Sequence, residues 1–187
     1  MRIISGACKG RVLQTVTGPG YRPAMGKVRE SLFSMLEARG VVWGAVRFLD
    51  VFAGSGAVGL EALSRGAASA VFVERSPRHI AYIKSNAAML KLAPEIIQAD
   101  AYQYLAGFSG SPFDIVYADP PYALGEEQGF ETVLKNLAER NVLKPEGLFI
   151  AETTFRMSAT DLPGWDLCRD REYGKTRLII WRRKADS

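Results

Sequence analysis

The amino-acid sequence predicts an α/β fold, a doubly wound and mainly parallel sheet of the Rossmann type. Short runs rich in β-branched residues alternate with segments whose apolar residues recur at helical spacing. A glycine-rich turn follows the first of these strands, and acidic residues stand at the ends of four successive strands. Strands that alternate with helices form parallel sheets with right-handed crossovers, and ligands bind at the carboxyl ends of such strands.

Length and composition fit a single domain spanning residues 1–187. With 48% hydrophobic and 24% charged residues, the chain can bury a sizeable core. Cys8 and Cys168 are far apart and belong to no CxxC pattern, which predicts neither a disulfide framework nor a metal site. No stretch reaches the about eighteen apolar residues of a membrane span, and residues 1–10 contain no apolar leader region. We therefore expect a cytoplasmic protein that uses no membrane and no metal.

Positive charge is concentrated near the amino terminus. Residues 1–47 hold eight lysines and arginines against two glutamates, although the net charge of the whole chain is only +4. A basic arm on a nearly neutral body is typical of proteins that bind a phosphate backbone. The alternative is a solvated surface without a partner.

The amino-terminal segment is predicted to be a hairpin followed by a helix. Residues 2–5 and 11–16 are short β-type runs, and the loop between them contains Gly6 and Gly10. The helix has apolar residues at helical spacing and ends at Gly40. Residues 1–40 are the one part of the chain that could be called a subdomain.

Strands and helices alternate through the rest of the chain. Ser76 and Pro77 are typical of a helix start, which puts the single histidine, His79, on the surface of a first turn without a catalytic role. Residues 144–147, Lys-Pro-Glu-Gly, predict a turn. Helices are predicted around Leu60, from Ile80 to Leu90 and from Phe130 to Leu137, with a short amphipathic piece after Asp100. Strands are predicted over 46–52, 70–73, 95–99, 113–118, 148–151, 165–168 and 177–181, the last two forming an antiparallel hairpin.

The turn after the first strand is rich in glycine. Gly54, Gly56 and Gly59 allow a tight bend and close approach of a ligand to the backbone. Glu74 lies twenty residues after Gly54 at the end of the next strand, where a carboxylate can bind a ribose diol. A dinucleotide would also fit this pattern. Asp50 favours S-adenosylmethionine, because its carboxylate would repel a pyrophosphate and attract an amino and sulfonium group.

Two further acidic residues follow at strand ends. Asp100, with Ala101 after it, can accept a hydrogen bond from an adenine amino group. Asp119 precedes two prolines, which stiffen the backbone, and Tyr122. Asp119 and the Pro120 carbonyl can accept the two hydrogens of an exocyclic amino group while Tyr122 stacks on the base. For each carboxylate alone, the alternative is a helix cap or a proline turn.

These motifs resemble those of class I S-adenosylmethionine-dependent methyltransferases. The opening Met-Arg-Ile-Ile-Ser-Gly, the pair Arg22-Pro23 and the segment 28–30, Val-Arg-Glu, narrow the resemblance to the RsmD-like family of bacterial 16S ribosomal RNA (guanine-N2) methyltransferases. The resemblance covers nearly the whole chain. The family usually shows Arg-Pro-Thr followed by an Asp-Arg pair. This sequence departs from the pattern, with Ala24 in place of the threonine and Gly26-Lys27 in place of the pair.

The resemblance implies a seven-stranded sheet and methyl transfer to the N2 amino group of one guanine in small-subunit ribosomal RNA or 30S particles. It implies that Arg22 takes part in binding the cofactor. It also implies that the basic hairpin binds RNA, with Arg2, Lys9 and Arg11 as the candidate residues. We expect the protein to act as a monomer.

Two other functions fit parts of the pattern. The same proline-flanked motif serves methyl transfer to the N6 amino group of adenine in DNA, but 187 residues leave no room for a separate target-recognition domain. A non-catalytic RNA-binding assembly protein could keep the fold without the chemistry. The intact carboxylates at the strand ends speak against that interpretation.

Overall fold

The computed structural model describes residues 1–15, 25–120, 126–153 and 162–185, and this part of the chain contains one seven-stranded sheet. The order across the sheet is β3-β2-β1-β4-β5-β7-β6. β1 to β5 pair in parallel, whereas β7 is antiparallel to both β5 and β6. This confirms the predicted doubly wound sheet with an antiparallel hairpin. The strands are β1 Arg47–Val51, β2 Ser69–Glu74, β3 Glu95–Gln98, β4 Phe113–Ala118, β5 Leu143–Thr153, β6 Trp165–Tyr173 and β7 Thr176–Arg183.

Helices cover both faces of the sheet. They are α1 Met25–Ala38, α2 Ala57–Ser64, α3 Pro77–Leu90, α4 Ala101–Ala106 and α5 Glu126–Glu139, with a short 3₁₀ helix at Trp43–Ala45. Successive side chains of a strand point to opposite faces, so Phe48 packs in the core beneath α1, α2 and α3, and Leu49 packs in the core beneath α4 and α5. None of these helices has the length and apolar character that crossing a membrane requires.

The parallel register aligns the carboxyl ends of four neighbouring strands. Val51 pairs with both Val73 and Ala118, and Glu74 pairs with Gln98. The residues that follow β1, β2, β3 and β4 therefore meet along one edge of the sheet. This is the edge at which open α/β sheets bind ligands.

The predicted amino-terminal hairpin exists, but its ladder is shorter than expected. Within residues 1–15 it has one antiparallel bridge, between Arg2 and Val12. The backbone N–H groups of Ile4 and Ser5 donate to the carboxylate of Glu61 at 2.8 and 2.9 Å instead of to a partner strand. A side chain of α2 thus replaces the strand partner and ties the hairpin to the helix.

The last three strands, β5, β6 and β7, are longer than predicted. The predicted turn 144–147 lies inside β5, where the register jumps from Leu143 opposite Phe113 to Leu148 opposite Ile115. The four residues between them bulge out of the ladder. β6 and β7 also extend beyond their predicted ends, because cross-strand ion pairs such as Arg177 with Asp170 stabilise segments that carry no apolar pattern.

Candidate active site

A cavity of about 440 Å³ lies at the carboxyl ends of β1 to β4. Its volume is in the range of small-molecule sites. Six of the residues predicted from the sequence lie in its wall, namely Gly54, Glu74, Asp100, Ala101, Asp119 and Pro120. The other lining residues are Phe52, Val73, Arg75, Ser76, His79, Ala99 and Tyr102.

The glycine-rich turn is built on the left-handed backbone of Gly56 and the close packing of Gly59. Gly56 is the N-cap of α2 with φ of 77°, and it has no side chain that could cap the helix. Asp50 supplies the missing acceptor, since its Oδ2 accepts the Gly59 N–H at 2.9 Å. A Cβ on Gly59 would lie 2.5 Å from the Phe72 ring, so only glycine lets α2 approach the sheet this closely.

Asp50 lies under the turn, outside the cavity wall, and is 1% exposed. Burial raises the pKa of its carboxyl well above the usual value; the hydrogen bond from Gly59 opposes this shift, and the charges of Asp119 and Glu74 add to it. A cation in the cavity would stabilise the ionised form. Asp50 can therefore attract a cation bound in the cavity at short range without contacting it.

Glu74 joins the end of β2 to the glycine-rich turn. Its Oε2 accepts the Gly54 N–H and its Oε1 accepts the Ser76 N–H, both at 2.8 Å. Each carboxylate oxygen can accept two hydrogen bonds, so Glu74 retains acceptor capacity on the cavity side. His79 Nδ1 lies 3.5 Å from Glu74 Oε2. His79 lies in the first turn of α3, as predicted, and its partly exposed side chain faces the cavity.

Asp100 both caps a helix and lines the cavity. Its Oδ1 accepts the N–H groups of Tyr102 at 3.0 Å and Gln103 at 3.2 Å, as an N-cap of α4 does. The two interpretations of this residue are therefore compatible. Tyr102 also contacts the Phe52 ring edge-on, with centroids 5.4 Å apart, and these rings form an apolar part of the wall.

Phe52 and Tyr102 were not identified from the sequence. Phe52 has φ of 66°, an uncommon conformation for a residue without glycine's freedom. Its position between Asp50 and Gly54, where the chain must turn sharply out of β1, could have indicated that Phe52 lines the site. Tyr102 could have been found in a similar way, because it is an aromatic residue shortly after a strand end.

The remaining predicted residues lie elsewhere or outside the described ranges. Arg2, Lys9 and Arg11 are exposed on the amino-terminal hairpin, and Arg2 Nη1 donates to the Gly10 carbonyl at 3.0 Å. Arg22 and Tyr122 fall outside the described residues. The site roles assigned to all these residues remain predictions.

The cavity fits S-adenosylmethionine in size and in the placement of its polar groups. Asp100 and Glu74 line the cavity at the ends of the neighbouring strands β3 and β2, where adenosine would need acceptors, and Asp119 lines it after β4, on the other side of β1. A Cβ added to Gly54 would meet no atom within 4 Å, so this residue presents open space to a ligand. In the described ranges, no three His, Cys, Asp or Glu side chains are grouped as metal ligands.

Proteins with similar sequences include ribosomal RNA methyltransferases. Residues 1–182 match the family described as conserved hypothetical protein 95. Ribosomal RNA small subunit methyltransferase D of Escherichia coli K12 is 35% identical over 187 residues, covering 99% of this chain and 91% of that protein. The Haemophilus influenzae protein of the same name is 33% identical over 178 residues, covering 93% and 89%.

Solved structures with a similar fold also include methyltransferases. Escherichia coli yhhF has a TM-score of 0.85 and 34% identity, with 100% of this chain and 99% of that chain covered. RsmC of Thermus thermophilus, a 16S rRNA methyltransferase solved with AdoMet and guanosine, shares the fold at a TM-score of 0.69 and 20% identity, with 90% and 45% covered. The chain therefore belongs to the conserved hypothetical protein 95 family, the RsmD-like family that its sequence predicts, and has the fold of class I S-adenosylmethionine-dependent methyltransferases.

Proposed function

We propose that the protein transfers a methyl group from S-adenosylmethionine to the N2 amino group of a guanine in small-subunit ribosomal RNA. The observation that carries this proposal is the position of Asp119 and Pro120 in the wall of the cavity that also contains Glu74 and Asp100. One cavity thus holds acceptors for a nucleoside and acceptors for an amino group. The relatives named ribosomal RNA small subunit methyltransferase D support ribosomal RNA as the substrate.

The chain's own residues bind the methyl donor. Glu74 accepts hydrogen bonds from the ribose hydroxyls, and Asp100 and the Ala101 backbone bind the adenine. Gly54 leaves room for the methionine part of the cofactor, which contains the sulfur. Asp50 favours a positive charge above the glycine-rich turn through a medium of low dielectric constant. Arg22 is the further residue that we assign to the cofactor. The bound cofactor supplies an electrophilic methyl group on its sulfonium sulfur.

Asp119 and Pro120 orient the amine. Their oxygens accept the two N2 hydrogens and favour a pyramidal nitrogen, whose lone pair is then less delocalised into the guanine ring. The new N–C bond forms as the C–S bond breaks, whose electron pair remains on sulfur, and the methylated nitrogen then loses one proton to water. Positioning and the fixed dipoles of the site supply most of the acceleration. Tyr122 would stack on the base.

RNA binding is assigned to the basic segment 1–40. Arg2, Lys9 and Arg11 are exposed and available to bind phosphates. Glu61 of α2 ties the backbone of the hairpin to the rest of the fold, which keeps the basic residues on one side of the molecule. The target base must lie outside a duplex stack to enter such a site, either in a loop or as a flipped nucleotide.

Transfer from labelled S-adenosylmethionine to small-subunit particles, free ribosomal RNA and DNA, followed by nucleoside analysis, tests the proposal. We expect N2-methylguanosine in particles, in free RNA or in both. N6-methyladenine in DNA would replace the proposal with the adenine alternative. Cofactor binding without transfer to any of the three substrates would favour a non-catalytic assembly protein.

A further inference from the structure

Glu74 has few acceptor positions left for a ribose. A carboxylate offers about four lone-pair positions, two on each oxygen. Within the described part of the chain, the backbone N–H groups of Gly54 and Ser76 take one position on Oε2 and one on Oε1, both at 2.8 Å. One position remains on each oxygen. A ribose diol that donates both its hydrogens to this carboxylate needs both of them.

His79 lies beside one of these two positions. Its Nδ1 is 3.5 Å from Glu74 Oε2, which is beyond the about 2.7–3.2 Å of an ordinary N–H···O hydrogen bond. Both side chains line the cavity, and the imidazole is 34% exposed, so it can exchange protons with water. The backbone N–H of His79 donates to Ser76 Oγ at 3.4 Å in the cap of α3. That cap uses the backbone of this residue and does not require an imidazole.

The protonation state of the imidazole decides what Nδ1 can do. A histidine side chain can change its charge between about pH 5 and pH 8. A neutral imidazole with its hydrogen on Nε2 has a lone pair at Nδ1 and leaves the neighbouring carboxylate oxygen free. An imidazolium carries hydrogens on both nitrogens and is attracted by the carboxylate. After a small movement its Nδ1–H therefore occupies the second position on Glu74 Oε2.

We propose that protonation of His79 takes one of the two acceptor positions that Glu74 offers to the cofactor ribose. His79 is in this way a positioning residue that acts through Glu74. Its neutral form leaves the carboxylate free for both hydroxyls, and its cation competes with one of them. The inference rests on the proposed function, in which Glu74 binds the ribose. By reciprocity, a bound cofactor disfavours the imidazolium by the same factor.

Other charged and titratable groups surround this pair. Asp50 can also change its charge with pH, because burial raises its pKa well above the usual value. The further groups are Arg75, Asp100, Tyr102 and Asp119 in the cavity wall, and Arg78 and Tyr82 on α3. All of them act on the whole cofactor, whereas the proposed competition concerns its ribose hydroxyls. The test must therefore isolate the contribution of those hydroxyls.

The experiment compares S-adenosylhomocysteine with its 2′,3′-dideoxyribose analogue, which lacks both hydroxyls. Calorimetry gives their dissociation constants from about pH 5.5 to about pH 8, the range in which histidine titrates. The ratio of the two constants measures what the hydroxyls contribute, and the effect of Asp50 on the shared parts of the ligands cancels. His79→Phe keeps a ring but can neither donate nor gain a proton. Arg78→Gln, an exposed residue of the same turn outside the described cavity wall, is the matched control.

At about pH 8 we expect the wild-type protein to bind the dideoxy analogue much more weakly than S-adenosylhomocysteine. The ratio should fall about tenfold by about pH 5.5, as the loss of one hydrogen bond to a charged group predicts. Arg78→Gln should behave like the wild type, and His79→Phe should keep one ratio throughout.

A wild-type ratio that is large and independent of pH would overturn the inference without any variant. So would a ratio that falls in His79→Phe as it does in the wild type. Two other results would instead remove the proposed cofactor site, and the inference with it. These are no binding of S-adenosylhomocysteine at any pH, and a wild-type ratio close to one at about pH 8.

Discussion

The carboxylate of Asp50 accepts a hydrogen bond of 2.9 Å from the backbone N–H of Gly59. Gly59 is in the first turn of α2, whose N-cap has no side chain to accept this hydrogen. A strand residue therefore takes the place of a helix cap. Asp50 is almost completely buried, and both this burial and the nearby carboxylates of Asp119 and Glu74 disfavour its ionised form.

Replacing Asp50 with asparagine should stabilise the cofactor-free protein at neutral pH. The amide keeps an oxygen for Gly59 but carries no charge. Because the pKa of Asp50 is higher in the folded protein than in the unfolded chain, the folded state retains a proton that the unfolded state loses above about pH 4. Wild-type stability therefore falls as pH rises from there through the folded pKa.

Thermal unfolding of both proteins from about pH 4 to about pH 8 measures this effect. We expect equal stability at the acid end and a higher unfolding temperature for Asp50→Asn at the alkaline end. Its affinity for S-adenosylmethionine should decrease, since the attraction for the sulfonium charge is gone. A variant that is less stable than wild type at the alkaline end would contradict this account.

Asn86 should couple the amino-terminal hairpin to the glycine-rich turn. Its fully buried side chain accepts the Gln14 N–H at 2.8 Å and donates to the carbonyls of Gln14 at 2.9 Å and Ser55 at 3.2 Å. Asn86→Asp removes both donors and sets a carboxylate against two carbonyl oxygens. Each unsatisfied buried group costs about 1–3 kcal/mol, so we expect lower stability and weaker cofactor binding.

Calorimetry and thermal unfolding check this prediction, with Asn136→Asp on α5 as a control far along the chain from both segments. The Asn136 side chain donates to the Thr132 carbonyl of its own helix at 2.9 Å. If Asn86 links the two segments, the affinities for RNA and for cofactor should also become less dependent on each other. Wild-type affinities in a folded Asn86→Asp would show that these hydrogen bonds do not serve the site.

The charges of the amino-terminal hairpin should set the salt dependence of RNA binding. Replacing Arg2, Lys9 and Arg11 with glutamine should reduce the log–log slope of affinity against salt by about 0.7 to 0.9 for each phosphate that the protein no longer neutralises. Cofactor affinity should not change. The same number of exposed cations can be removed at β6 and its turn as a control, using Arg169, Arg171 and Lys175. If both triple variants behave alike, the hairpin has no special role in RNA binding.

Local patterns were enough to predict most of the sheet and the carboxylates of the cavity wall. Asp119 and Glu74 could be found because apolar runs mark buried strands, and the ends of parallel strands share one edge. The three glycines of the turn likewise follow from neighbouring residues. Each of these inferences uses a few consecutive positions and one rule of topology.

Contacts between distant segments could not be predicted in this way. Glu61 accepts N–H groups 57 and 56 residues away, and Asn86 reaches Gln14 across 72 residues. On a helix, a buried glutamate or asparagine looks like any solvated polar residue until the partner is known. β6 was predicted too short for a related reason, since its exposed charged residues carry no alternation and are stabilised by pairing with β7.

The role of Asp119 can be separated from that of a general base by two substitutions. If the carboxylate accepts a hydrogen bond and orients the amine, Asp119→Asn keeps an oxygen acceptor and should retain measurable activity, whereas Asp119→Ala should be almost inactive. A base must take up a proton, which an amide cannot do, so that role predicts equal loss in both variants and a wild-type rate that follows a carboxyl titration.

We expect the acceptor role, because the amine becomes acidic once it is methylated and then loses its proton without a strong base. Single-turnover rates with saturating RNA and cofactor separate chemistry from binding and product release. Binding of both ligands must be confirmed for each variant, because Asp119 also lies close enough to Asp50 to affect its ionisation. With binding intact, equal rates for the asparagine and alanine variants would rule out orientation as the role of Asp119, and a clear advantage for asparagine would rule out proton abstraction.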